Sequence, residues 1–100
     1  LYLEDNTIQP FTSIGNNVIL WSGNHIGHDA IVGDHVFISS HVVISGHVKI
    51  GDRSFIGVNS TIKDGITIGN DCLIGAGSLI LKDAADNSVF KGLSAELSPV

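Results

Sequence analysis

The chain is short of most things that would point to a partner class. It has one cysteine, no methionine and only five Lys and Arg residues against ten Asp and Glu in 100 residues. Binding nucleic acid requires clustered cations to neutralise phosphates, and five scattered ones with a net charge of -5 do not supply them. Nucleic acid is therefore not an expected partner. The single cysteine, Cys72, excludes an internal disulfide. No charged-then-apolar leader and no long apolar span is present, so membrane insertion is not expected and the cytoplasm is the default location. The absence of methionine, together with a start at Leu1 in mid-pattern, leads us to expect a piece of a longer protein.

What the chain does have is a period of six. Aliphatic residues stand at Ile8, Ile14, Leu20, Ile26, Val32, Ile38, Ile44, Ile50, Ile56, Ile62, Ile68, Ile74 and Ile80, thirteen hexads without a slip. Four positions after each comes a mostly small or β-branched residue, from Thr12 and Val18 to Ser78 and Ala84; Asn24 breaks this second column. Six fits neither an α-helix nor a heptad, whereas two inward side chains flanking an outward one match a short strand. Each hexad then gives one strand and one corner, and three close an 18-residue turn. The predicted architecture is all-β: a left-handed parallel β-helix of about four coils, three strands per coil, over residues 1–85. A C-terminal tail is expected over residues 86–100. At roughly 4.8 Å per coil the stack is about 20 Å tall. Gly15, Gly27, Gly33, Gly51, Gly57, Gly69 and Gly75 directly follow aliphatic residues, and they are the expected sites of the sharp bends.

Residues 18 apart lie over one another, so the outward positions sort into three faces. Ile19, Phe37, Phe55 and Leu73 form an apolar stripe; His25, Val43, Thr61 and Leu79 form a mixed face; Ser13, Ile31, Lys49, Thr67 and Ala85 form a largely polar one. A long exposed apolar stripe marks a contact surface, and a closed homotrimer joined through the first two faces is expected. The corner of residues 27–29, 45–47 and 63–65 would then border a groove between chains, where small ligands bind.

All five histidines fall between residues 25 and 47. His28 has Asp29 beside it, and Gly46, flanked by Ser45 and His47, lies one turn above. Acyl transfer needs a base within reach of the acceptor and a donor aimed at the developing oxyanion. An imidazole facing a glycine N–H across one strand spacing offers both, and a neighbouring carboxylate orients the ring. Solvated corner histidines are the competing explanation, and the favoured one for His25, His35, His41 and His47. His47 stacks over Asp29 and would help to orient it. Cys72 lies in an inward column and should be buried and inert. Consecutive histidines are 3, 7, 6 and 6 residues apart. That is not the pattern of the zinc-binding γ-type carbonic anhydrases, which share this fold, so no metal is expected.

The stretches Gly27-His28-Asp29-Ala30-Ile31-Val32-Gly33-Asp34, Ile56-Gly57-Val58-Asn59-Ser60-Thr61-Ile62 and Ile74-Gly75-Ala76-Gly77-Ser78, running on to Lys82-Asp83, resemble the hexapeptide-repeat acyltransferases. Within them the likeness is to the sugar O- and N-acetyltransferases of the sialic-acid, bacillosamine and perosamine types. It implies acetyl-coenzyme A as co-substrate and a small sugar as acceptor, either the amine of a nucleotide-linked amino sugar or a sugar hydroxyl. It further implies His28 as general base with Asp29 in support, and the Gly46 amide facing the thioester carbonyl. The coenzyme would run between two chains of a trimer past Gly75, Ala76, Gly77, Ser78 and Lys82, with His25, Phe37 and His47 as substrate contacts or supporting residues. Two departures from the family pattern stand out. Gly27 replaces an Asn often found before the histidine, while Asn24-His25 offers such a pair one hexad earlier and keeps His25 open as an alternative base. After the last coil, Gly92-Leu93-Ser94-Ala95 is followed by Glu96 where a basic residue is usual. Many relatives also carry an amino-terminal nucleotide-sugar-binding domain.

Overall fold

The computed structural model describes residues 1–91; the Gly92–Glu96 segment and the rest of the expected tail lie outside the described residues. Fourteen two-residue strands follow one another at the expected spacing: β1 Thr7–Ile8, β2 Ser13–Ile14, β3 Ile19–Leu20, β4 His25–Ile26, β5 Ile31–Val32, β6 Phe37–Ile38, β7 Val43–Ile44, β8 Lys49–Ile50, β9 Phe55–Ile56, β10 Thr61–Ile62, β11 Thr67–Ile68, β12 Leu73–Ile74, β13 Leu79–Ile80 and β14 Val89–Phe90. They stack in parallel into three sheets. The first runs β3-β6-β9-β12-β14, the second β1-β4-β7-β10-β13 and the third β2-β5-β8-β11. The molecule is a left-handed parallel β-helix.

The core follows from the two inward columns. From Leu20 to Ile80 every residue of the aliphatic column is at most 2% exposed. The second column completes the packing, and its polar members are bonded to the backbone. Ser54 Oγ donates to the Gly69 carbonyl at 2.8 Å and Ser60 Oγ to the Gly75 carbonyl at 3.1 Å, one coil on. Asn24, the exception in that column, is buried as well; its Oδ1 accepts the Val42 N–H at 2.8 Å. Cys72 is buried, as its column requires.

The fold is taller than expected, about five turns rather than about four. Tyr2 bridges to Leu20 at one end, and at the other β14 adds to the first sheet. The last turn is also shorter by two residues. Leu73 pairs with Val89 and Ile68 with Ala84, each 16 residues away instead of 18. Asp83, rather than Ala85, therefore stands beside Thr67, whose N–H its carboxylate accepts at 2.8 Å.

The corners also differ from expectation. The bend does not fall on the glycines after the aliphatic residues. One residue per hexad takes positive φ from Asp5 to Gly77: Asp5, Phe11, Asn17, Gly23, Asp29, His35, His41, His47, Arg53, Asn59, Gly65, Asp71 and Gly77. Asn, Asp, His and Gly tolerate this left-handed region best. Arg53 holds its place with a paired contact to Asp71, Nε–Oδ1 2.8 Å and Nη2–Oδ2 3.0 Å. That hydrogen bond holds the Asp71 carboxyl below its usual range. Phe11, at φ 64° and 85% exposed, has neither a tolerant side chain nor buried packing. Its conformation costs about 1–2 kcal/mol.

The glycines after the aliphatic residues serve close approach instead. At one corner a ladder of side-chain oxygens joins the coils: the N–H groups of Asn16, Asp34, Asp52 and Asn70 donate to Oδ1 of Asp34, Asp52, Asn70 and Asp86 at 2.7–2.8 Å. A Cβ on Gly51 would overlap Asn70 Oδ1 and lie 2.6 Å from the Asn70 nitrogen. Gly51→Ala should therefore cost about 1–3 kcal/mol, as overpacking does. Gly65→Asn, at φ +76° with nothing within 4 Å of a new Cβ, should change stability far less. Urea unfolding midpoints of the two variants test the distinction.

Candidate active site

The winding brings His28, Asp29, Gly46 and His47 together at the corner between the second and third sheets. His28 and Asp29 follow β4, and Gly46 and His47 follow β7, its neighbour in the second sheet. The His47 N–H donates to the His28 carbonyl at 2.9 Å, which locks the register of the two coils at this point. Below, the His28 N–H donates to Gln9 Oε1 at 3.0 Å and the Asp29 N–H to the Pro10 carbonyl at 3.2 Å. The backbone under the imidazole is thus fixed from both sides.

His28 Nδ1 lies 3.0 Å from Asp29 Oδ2. A carboxylate only accepts, so Nδ1 carries the hydrogen, and in the neutral imidazole the lone pair is then on Nε2. That Nε2 edge reaches across to the next coil: a methyl group added at Gly46 would lie 2.8 Å from Nε2 and 2.9 Å from Cε1. Gly46 leaves the space the ring occupies. Its N–H has no hydrogen-bond partner among the described residues, whereas its carbonyl accepts from Gly65 N–H at 3.0 Å. His47 meets the His28 ring edge-on, with centroids 5.0 Å apart, and its Nε2 lies 4.0 Å from Asp29 Oδ2. All three side chains are open to solvent, His28 at 54%. One ligand atom from each of His28, Asp29 and His47 lies within 4.8 Å of the others, so these three could hold a metal ion. The histidine spacings gave no sign of this set, because 19 residues separate its two histidines.

The remaining expected residues are spread more widely. His25 is half-buried on the outward side of β4 in the second sheet. Phe37 lies on the first sheet, within a stack running from Trp21 (centroids 6.1 Å) through Phe37 to Phe55 (5.2 Å). The second sheet separates it from His28, so within one chain it does not meet that corner. Gly75, Ala76, Gly77 and Ser78 form the corner between the first and second sheets near the end of the stack. The Ser78 hydroxyl is buried and committed to the Gly75 carbonyl at 2.7 Å and the Lys91 carbonyl at 3.3 Å, leaving only backbone there for a ligand. Lys82 is exposed after β13, at the edge that carries His28, and with Ser78, Val89 and Lys91 it lines a cleft of about 370 Å³ at the last coil. Among the described residues no helix is long and apolar enough to cross a membrane.

Residues 4–46 match the family model described as bacterial transferase hexapeptide (six repeats), and residues 47–82 match that described as hexapeptide repeat of succinyl-transferase. The two matches lie end to end over the stack, and along that length the chain is similar to the hexapeptide-repeat transferases. Among solved structures it is similar to the acetyltransferase domain of PglB from Neisseria gonorrhoeae, with 26% identity and a TM-score of 0.78 over 89% of this chain and 53% of that one. The same domain in complex with acetyl coenzyme A matches at 25% identity and a TM-score of 0.67, over 88% of this chain and 53% of that one. PerB from Caulobacter crescentus, in complex with CoA and GDP-perosamine, shares the fold at 24% identity and a TM-score of 0.66, over 85% of this chain and 50% of that one. The chain thus spans about half the length of these structures. No curated protein sequence matches it.

The geometry makes a local prediction. Gly46 does not have positive φ, so Gly46→Ala is compatible with its backbone, and the three atoms nearest the added methyl all belong to the movable ring of His28. The variant should fold with nearly unchanged melting temperature while the ring is pushed off and its contact with Asp29 is lost. Imidazole nitrogen chemical shifts of His28 in the two proteins check this.

Proposed function

We propose that the chain is the catalytic β-helix of an acetyl-coenzyme A-dependent acetyltransferase acting on the amino group of a nucleotide-linked amino sugar in polysaccharide biosynthesis. The observation that carries this reading is the His28 imidazole, bonded to Asp29 through Nδ1 and laid with its Nε2 edge against Gly46, whose N–H is unpaired within the described chain. His28 Nε2 takes the proton from the acceptor amine as the nitrogen attacks the thioester carbonyl. The new C–N bond places negative charge on the carbonyl oxygen, and the Gly46 N–H is the donor suited to receive it. Collapse breaks the C–S bond, and the departing sulfur receives the proton from the imidazolium. Asp29 holds the ring in the tautomer that leaves Nε2 free and stabilises the transient positive charge. His25, which lacks such a partner among the described residues, is the weaker candidate for the base.

The similar structures favour this chemistry: the PglB domain is an acetyltransferase seen with acetyl coenzyme A, and PerB is seen with CoA and a nucleotide-linked amino sugar. Supply of acetyl-coenzyme A fits a cytoplasmic setting. The exposed stripe of Phe55, Leu73 and Val89 below Trp21 supports a homotrimer joined through the first two sheets. In that assembly Phe37, on the first sheet, would face the second sheet of a neighbouring chain, at whose outer edge His28 lies.

Turnover with acetyl-coenzyme A against a panel of nucleotide amino sugars and sialic acids tests class and acceptor together. An amino sugar should be the best acceptor; preference for a hydroxyl would make the enzyme an O-acetyltransferase with the same base. His28→Ala should lower kcat by roughly a hundredfold or more, and an undiminished rate would leave the β-helix as a scaffold. Dialysis against a chelator should not change the rate; a loss restored by zinc would assign His28, Asp29 and His47 to a metal instead. Light scattering at micromolar concentration should give three times the chain mass, and a monomer would remove the groove on which the reading depends.

A further inference from the structure

Resting on the acetyltransferase reading, we infer that Phe11 is the platform on which the ring of the acceptor sugar stacks. Two independent features single it out. The first is backbone strain. Among the corner residues with positive φ, Phe11 is the bulky apolar one, and no contact of its own side chain explains it, since the ring is 85% exposed. An energetically disfavoured conformation persists when its surroundings over-determine it, and such outliers concentrate at ligand sites. The surroundings here do so. Thr12 Oγ1 donates to the carbonyls of Gln9 at 2.7 Å and Gly27 at 3.2 Å, and the Pro10 carbonyl accepts the Asp29 N–H. The turn that strains Phe11 is bonded directly to the loop carrying His28 and Asp29.

The second feature is place. Phe11, Asp29 and His47 occupy the same corner position on three successive coils, so the Phe11 backbone lies one coil spacing, roughly 5 Å, from that of Asp29. A pyranose has one face of C–H bonds and a rim of hydroxyl or amino groups. An aromatic face beside polar groups suits both, and the polar groups are present: Gln9, whose Oε1 is held by the His28 N–H, has its amide hydrogens left to donate, and Asp29 accepts. A pyranose stacked on Phe11 lies one coil below His28, with its rim amine extending along the groove past Asp29 to Nε2, the edge of the ring that faces Gly46. Phe11 is also on a different edge from the Trp21–Phe37–Phe55 stack, so the apolar stripe does not account for its exposure.

Phe11→Asn is the informative substitution, because Asn tolerates the left-handed backbone that Phe does not. With the best acceptor of the panel, the variant should raise KM for that acceptor roughly tenfold, as befits loss of one aromatic contact. KM for acetyl-coenzyme A and kcat should stay within about twofold. Its melting temperature should rise by about 4 °C as the strain is released, and Phe11→Tyr should restore the wild-type acceptor KM. An unchanged acceptor KM overturns the inference, as does an equal rise in both KM values. A fall in solution mass of the variant overturns it too, and gives Phe11 to a contact between chains. If wild type turns over an acceptor and His28→Ala abolishes that turnover while Phe11→Asn leaves KM untouched, only this inference fails. If no panel member is turned over, the acetyltransferase reading fails and this one with it.

Discussion

Everything in this molecule depends on one spacing: the first N–H of a strand finds a carbonyl 17 residues further on in one coil after another, so that coil sits on coil. Thr7 donates to Asn24, His25 to Val42, Val43 to Ser60 and Thr61 to Ser78, all at 2.9 Å. A two-residue strand has almost no stability of its own, and a single coil buries little. Stacking supplies both hydrogen bonds and burial, which is why solenoid stability is a property of neighbours rather than of repeats. The same spacing turns sequence separations of 18 and 19 into contacts. Gly46 and His47 reach His28 for no other reason.

The inward half of the fold was legible because burial is demanding. Aliphatic side chains are needed once per hexad to fill a narrow triangular core, and that need is written from Ile8 to Ile80 without interruption. The last turn was not legible because its demand is weaker. Between Ile80 and Phe90 the chain cuts the corner by two residues, and Ala84 takes the place beside Ile68 where a full hexad would have put Asp86. Neither an alanine nor a shortened corner announces itself in a periodic pattern. The glycines misled for a related reason. A Gly after an aliphatic residue looks like a bend, yet the bend is two residues later, and the glycine is there because the next coil passes too close for a side chain.

The candidate site was partly legible. His28, Asp29 and Gly46 were found by adding 18, and the His28 ring does meet both the Asp29 carboxylate and the Gly46 backbone. What addition could not give was direction: that Nδ1 turns to Asp29 and the other edge of the ring to Gly46, or that Ser78 turns inward and spends its hydroxyl on carbonyls. Nor could it reveal Phe11, which reads in the sequence as an ordinary aromatic. Its signal is the company it keeps in its own column, where Asp29, His47 and Gly65 are the residues a left-handed corner favours.

That column also bears on the density of histidines. His35, His41 and His47 all occupy positive-φ positions, as do Asp29, Asn17 and Asn59. Histidine shares with Asn and Asp a tolerance for this conformation, so three of the five histidines have a backbone reason to be where they are. His28 does not. It precedes the left-handed residue, its backbone asks for no particular side chain, and Gly46 opposite forgoes a Cβ where its ring lies. A space opened on one coil for a side chain from another is not a requirement of the corner. Gly23 likewise leaves room for the His41 ring, but Gly23 itself has positive φ, which favours glycine whatever lies opposite; Gly46 does not, and that difference is the physical ground for proposing His28 as the base.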